Sequence, residues 1–220
     1  MVTFAAMGAR RIGGSLVLVG LIGASHTTPT AAPANAVDPP RTTVLNVRLT
    51  VSQELPGVSQ TALMKETESI WRDAQVQLRW LKAEGTGSSD RPLRILVTRR
   101  AVSAADGHRW PVGELRRFED STAIAMASIT AALRIVQERP ELPLVDLSAM
   151  RQYKLGVVLG RAVAHEIGHY LLQSNTHSPN GLMRASIDAR EFADLRTGAF
   201  RLDRESLAFL AARALAARGD

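Results

Sequence analysis

The chain of 220 residues contains no cysteine. That absence excludes a disulfide scaffold, a cysteine nucleophile, thiolate zinc ligands and iron–sulfur clusters. A chain of this length can bury a core without such staples, so the absence does not argue against export. Lysine is scarce as well: Lys65, Lys82 and Lys154 are the only ones, and arginine carries nearly all the positive charge. The net charge is +6, from 27 basic and 21 acidic residues, yet the arginines form no run longer than pairs such as Arg99-Arg100 and Arg116-Arg117. A solvated arginine-rich surface is the expectation, not a nucleic-acid footprint. Aromatic residues make up 5% of the chain, and past the leader Trp71 and Trp80 are the tryptophans in a patterned segment, so no base-stacking platform is expected. An apolar fraction of 45% and a charged fraction of 22% exclude wholesale disorder and collagen-like structure.

Long apolar runs are absent except near the N-terminus. There Arg10 and Arg11 precede IGGSLVLVGLIGA (residues 12–24), and a stretch rich in Pro, Thr and Ala ends in Ala34-Asn35-Ala36. Positive charge, apolar run and small-residue site, in that order, predict a signal peptide over 1–36, cleaved after Ala36. As a helix the apolar run would span about 20 Å, short of the ~30 Å hydrocarbon core, so no stable membrane association is expected. Removing 1–36 takes away two basic residues and no acid, leaving 25 against 21, or +4. The expected domain organisation is a single secreted or periplasmic domain, 37–220, with a flexible spacer over Thr27 to Pro40. For assembly the expectation is a monomer.

The remaining pattern is strands first, helices last. Leu45, Val47, Leu49 and Val51 alternate with polar residues in Val44–Val51, which predicts a half-buried strand. Pro56-Gly57 breaks the chain, and Ser59 is a plausible N-cap for a helix with Leu63, Thr67, Ile70, Trp71 and Ala74 on one face. Further strands are predicted at Val76–Trp80 and Leu93–Val97, separated by a Gly/Ser turn over Glu84–Asp90. Ala101–Asp120 reads as a long polar loop, and Thr122–Ser128 as a short fourth strand whose small residues suit an edge. Two helices follow, from about Ser148 to Leu172 and from about Asp203 to Arg218, the latter with Leu207, Phe209, Leu210 and Leu215 apolar. The fold class expected is α+β, a twisted mixed β-sheet with helices packed on it, including a central helix.

That central helix contains His165-Glu166-Ile167-Gly168-His169. Residues four apart on a helix stand about 40° and one turn apart, so the two imidazoles can converge on one ion. Glu166 falls on the flank of the same face, where it can reach a water without occupying a ligand position. By chance such a pattern arises in on the order of one chain in a hundred. Five histidines occur in all, and His177 puts a third in the same window. Three neutral imidazoles around Zn2+ leave a fourth position open for water, which is the catalytic arrangement. Leu155, Val158, Leu159 and Ala162 continue the histidine face as a core face. Gly156, Gly160, Ala164 and Gly168 form a small-residue stripe on another side that would let a neighbouring element approach closely.

The segment HEIGHYLLQSNTHSPNGLMR resembles the active-site segment of the metzincin zinc endopeptidases, closest to the matrixin-like branch, in which H-E-x-x-H-x-x-G-x-x-H is followed by a methionine turn. By this resemblance His165, His169 and His177 are zinc ligands, Glu166 is the catalytic residue, and Met183 is the methionine of Gly181-Leu182-Met183. Upstream, SIWRDAQVQLRW (residues 69–80) resembles the first-helix and second-strand segment of these enzymes. Two departures are plain. The glycine of the pattern falls at Leu172, and the third histidine comes two residues late, with Ser174 and Asn175 expected to supply the bend. The rival third ligand is an acid on a later helix, Glu191 first, then Asp188 and Asp194. His108 and Asp106 occupy a loop where matrixins carry structural ions, but two residues are too few for such a site.

The resemblance implies a secreted zinc-dependent endopeptidase in which Glu166 takes a proton from a zinc-activated water. The polypeptide substrate would lie extended along an edge strand, here Thr122–Ser128, with the segment from Met183 to about Phe200 walling a pocket beside the cleaved bond. Two other classes are weighed: a catalytically weak or inactive metal-binding protein of the same fold, and a non-enzymatic basic interaction module.

Overall fold

The computed structural model describes residues 2–5, 42–51, 55–81, 92–99, 111–120, 122–137, 143–196 and 199–216. The expected leader beyond Ala5, its cleavage point, the turn at Glu84–Asp90, and Asp106 and His108 lie outside the described residues.

Seven strands form one mixed sheet, in the order β3-β2-β4-β6-β5-β1-β7. They are β1 (Val2–Ala5), β2 (Thr43–Val51), β3 (Val76–Leu81), β4 (Leu93–Thr98), β5 (Pro111–Arg117), β6 (Ala123–Ser128) and β7 (Ser186–Ile187). β2, β3, β4 and β6 run parallel, and β5 turns antiparallel to β6. Parallel neighbours need a crossover, and helix α1 (Gly57–Arg72) supplies it between β2 and β3. The other helices are α2 (Ile129–Ile135), α3 (Ala149–Leu172), α4 (Ala189–Ala193) and α5 (Arg204–Ala216), with a 3-10 turn at Leu144–Asp146. The mixed sheet with packed helices and a central buried helix is the architecture the pattern predicts. No helix among the described residues is long and apolar enough to cross a membrane.

β5 corrects the sequence reading. Pro111–Arg117 lies inside the expected polar loop yet forms a strand, and five consecutive residues, Pro111 to Leu115, are buried. Burial on both faces removes the alternation that would have marked it. As a result β6 is not an edge: it lies between β4 and β5, and β5 carries the edge that β1 extends.

α3 is buried on every side from Leu155 to His169. It packs against α1, β5, β6 and α2. The buried α1 positions (Ser59, Ala62, Leu63, Glu66, Thr67, Ile70 and Trp71) recur at helical spacing. Ser59 is not the N-cap; Pro56 is, and the Ser59 hydroxyl inside the helix donates to Gln152 O at 2.8 Å. Thr67 Oγ1 lies 2.8 Å from Leu63 O and 3.1 Å from Gly160 O, across the same seam.

The glycine stripe makes this seam possible. A Cβ on Gly156 would sit 2.3 Å from Ser59 O and 2.6 Å from Ala62 Cβ, and one on Gly160 would sit 2.7 Å from Leu63 O. These are backbone and Cβ atoms, which cannot rotate aside. Gly156→Ala is therefore expected to destabilise by about 1–3 kcal/mol through overpacking, although alanine is the better helix former by ~1 kcal/mol. A urea titration checks the sign: an unchanged or raised midpoint would contradict the close approach.

Arg161 crosses the layer between the helices. Its side chain is fully buried, with Nε 2.7 Å from Glu66 Oε1 of α1 and Nη1 2.8 Å from Phe192 O of α4. Its guanidinium also lies 4.2 Å from the centre of the Phe200 ring. α5 behaves otherwise: it buries none of its residues, and Leu207, Phe209 and Leu215 stay exposed.

Candidate metal centre

The last two turns of α3 and the loop after them bring His165, His169 and His177 together, each offering one ring nitrogen within 4.8 Å of the others. The ring centres are 4.7, 5.3 and 4.9 Å apart. His165 and His169 meet because they are one turn apart on one helix face, buried between the sheet and the loop. His177 arrives from a reversal of the chain.

The ring orientations are set by backbone carbonyls. His165 Nδ1–H donates to Leu182 O at 2.8 Å, and His169 Nδ1–H to Ser174 O at 2.7 Å. Each bond fixes the tautomer and turns Nε2 inward, as outer hydrogen bonds do for ligand histidines. The two Nε2 atoms then face each other at 3.0 Å. Two lone pairs at that distance repel unless a proton or a metal cation lies between them. Burial works against the proton: it pushes His165 well below its ordinary value and His169 down to about 4, and it lowers His177 too. His177 Nε2 is buried with no hydrogen-bond partner among the described residues. Three neutral imidazoles, two facing at short range and one with an unanswered buried nitrogen, fit a single ion with nitrogen preference such as zinc.

Glu166 is fully buried, and neither carboxylate oxygen has a hydrogen-bond partner among the described residues. Desolvation raises its pKa well above the usual carboxylate range, and the nearby charge of Glu114 adds to the rise. A buried carboxyl group whose proton is held more tightly than usual, one residue from a histidine of the cluster, is suited to taking up a proton. Gly113 brings β5 against it: a Cβ there would lie 2.6 Å from Glu166 Oε1. Sequence reasoning missed Gly113; its signal was a glycine among buried strand residues, the mark of a close approach. It also missed Glu114, 3% exposed, whose carboxylate accepts from Arg116 Nε at 2.8 Å.

The chain leaves α3 through Gln173, in the left-handed region at φ 50°. The expected bend at Ser174 and Asn175 is therefore supplied one residue earlier. Ser174 and Asn175 instead serve as acceptors: Ser174 O takes the His169 proton, and Asn175 Oδ1 takes one from Arg117 Nη1 at 3.1 Å.

Below the histidines the segment Ser178–Arg184 folds back on itself. Ser178 N donates to Met183 O at 2.9 Å, and Leu182 N to Arg201 O at 2.8 Å. Gly181, at φ 73°, turns the corner where a Cβ would be 2.3 Å from Arg201 O. Met183 is buried with its sulfur against Gly168, where a Cβ would be 2.3 Å away. The rival acids lie elsewhere. Glu191 pairs with Arg184, Asp188 caps α4 through Arg190 N, and Asp194 accepts from Arg196 N.

No family model matches the sequence. No curated protein matches it either. In three dimensions the chain is similar to the crystal structure of archaemetzincin from Methanopyrus kandleri, at 14% sequence identity and a TM-score of 0.47, over 78% of this chain and 96% of that one.

Proposed function

We propose that the chain is a zinc-dependent endopeptidase of the metzincin kind, secreted and active after removal of residues 1–36. The observation that carries the reading is the pair of Nε2 atoms 3.0 Å apart, each turned inward by a bond from its own Nδ1 to a carbonyl. His165, His169 and His177 would hold zinc, and the matrixin-like subtype is part of the same proposal. Zinc held there supplies a polarised water and a Lewis acid for the scissile carbonyl.

The chain's own residues do the rest. Glu166, desolvated and next to a ligand, takes the proton of the attacking water and hands it to the leaving nitrogen. β5 offers its backbone edge to an extended polypeptide, and Gly113 lets that edge pass close to Glu166. β1 occupies this position in the full chain: Phe4 stands opposite Gly113, and Val2 and Thr3 pair with β7 on the other side. Removing the leader frees the edge for substrate. The segment from Met183 to Phe200 would wall the pocket beside the cleaved bond.

The test is hydrolysis of an unstructured protein by two forms of the chain, one beginning at Met1 and one at Val37. The shorter form should cut internal bonds, faster than the longer one, and a chelator should stop it until zinc is restored. A zinc-loaded shorter form that cuts nothing would leave a metal-binding protein without this activity.

A further inference from the structure

We propose that Arg117 is a positioning residue that fixes where His177 stands. The inference deepens the metal reading above and rests on it. Arg117 ends β5, opposite Ala123 in the β5–β6 ladder, so the sheet sets its backbone. Its guanidinium spans two segments far away in sequence. Nη2 donates to the carbonyl oxygen of His169, and Nη1 to Asn175 Oδ1 at 3.1 Å.

Both acceptors are chosen by the way α3 ends. Gln173, in the left-handed region, donates its N–H to Tyr170 O at 3.4 Å and so withdraws it from the carbonyl four residues back. The His169 carbonyl, at the negative end of the helix, is left to Arg117. The loop from Gln173 to Thr176 then has to carry the third imidazole back to the first two. It is held at two successive residues: Ser174 by His169 Nδ1–H, and Asn175 by Arg117. Thr176 N donates to Ser174 Oγ at 3.0 Å and tightens the same bend. Arg117 thus ties one histidine's backbone and the loop of another to a single rigid strand end. A loop released from it would have to be ordered by the metal itself, which lowers affinity.

A guanidinium here could also act only as a cation at a helix C-terminus. Lysine preserves that charge but lacks the planar fork that spans two acceptors. The probe is cobalt(II), read by visible absorption and by competition with zinc, with no assay of turnover. Arg117→Lys and Asn175→Ala are each expected to bind cobalt on the order of tenfold more weakly than the parent, the scale of outer-shell losses. The metal-free Asn175→Ala chain should keep a thermal midpoint close to the parent's, because Asn175 is only half-buried and Arg117 keeps its bond to the His169 carbonyl. The double variant should be no weaker than the weaker single one, because both changes cut the same tie. Parent-like cobalt affinity in both single variants overturns the inference, and so do losses that multiply in the double variant. A parent that binds no cobalt overturns the metal site itself, and this inference with it.

Discussion

Glu166→Gln is expected to leave zinc in place and to lower peptide hydrolysis by ~10²–10⁴-fold, the worth of a positioned general base. Glutamine keeps the shape of the side chain at the Gly113 contact but cannot accept the water's proton. Metal content and turnover on an unstructured protein separate the two effects; near-parent turnover would remove Glu166 from the mechanism. The same substitution carries a second, opposite expectation. In the metal-free chain the folded state holds the Glu166 proton more tightly than the unfolded chain, because burial and Glu114 both raise its pKa. Stability contributed by this group therefore falls as pH rises above its ordinary value of 4.5 and levels off above the folded value. Glutamine has no proton to lose. The metal-free variant should unfold at a higher temperature than the metal-free parent at about pH 8, with the gap closing toward about pH 5. A pH-independent gap would mean that the folded chain holds the Glu166 proton no more tightly than the unfolded one.

Replacing His165 and His169 together by alanine should abolish zinc binding, and His177→Ala should weaken it without abolishing it. The difference follows from how each ring is placed. The first two are preset by the helix and by carbonyls from Leu182 and Ser174, whereas His177 depends on a loop. Zinc at about a thousand times its dissociation constant stabilises the folded chain by roughly 4 kcal/mol. For a domain of this size that is on the order of 10 °C in the thermal midpoint. Adding a chelator to the parent should lower the midpoint by that much, and should leave the His165→Ala/His169→Ala chain unmoved. Metal analysis after dialysis, paired with the melting curves, checks both. A parent that holds no zinc, or a double variant that still holds one, would sink the site.

The helix that carries the site is legible in the sequence because local rules decide it. Histidines four apart, an apolar face before them and glycines at four-residue spacing all refer to one helix, and α3 ends at Leu172 as its pattern indicates. β2, β3 and β4 are legible for the same reason, since each alternates. What escapes is what depends on distant partners. β5 lacks alternation because Pro111 to Leu115 are all buried, on both faces of the strand. Arg117 looks like half of an arginine pair, and its meaning comes from groups 52 and 58 residues away. Ser59 carries a cap's hydroxyl but spends it on Gln152 O, because α3 comes within hydrogen-bonding reach of that turn. α4 and β7 are too short to leave any period. α5 shows the reverse: its apolar residues suggest a buried face, yet Leu207, Phe209 and Leu215 are exposed and Leu210 is only half-buried.

Arg161 bears on how such a pocket can change. Its buried guanidinium is shared by Glu66, the Phe192 carbonyl and the Phe200 ring, so the segment behind Met183 is moored to the interior helices. Drawing that segment away would leave the Glu66 pair in place but strip the guanidinium of its carbonyl and ring partners, at about 1.5–3 kcal/mol for the charged hydrogen bond alone. Under the proposed reading, the chain beside the cleaved bond then acts as a fixed mould: it admits side chains that suit its contour and does not yield to others. New preferences would have to arise by exchanging the residues that face the cavity, with the backbone path retained.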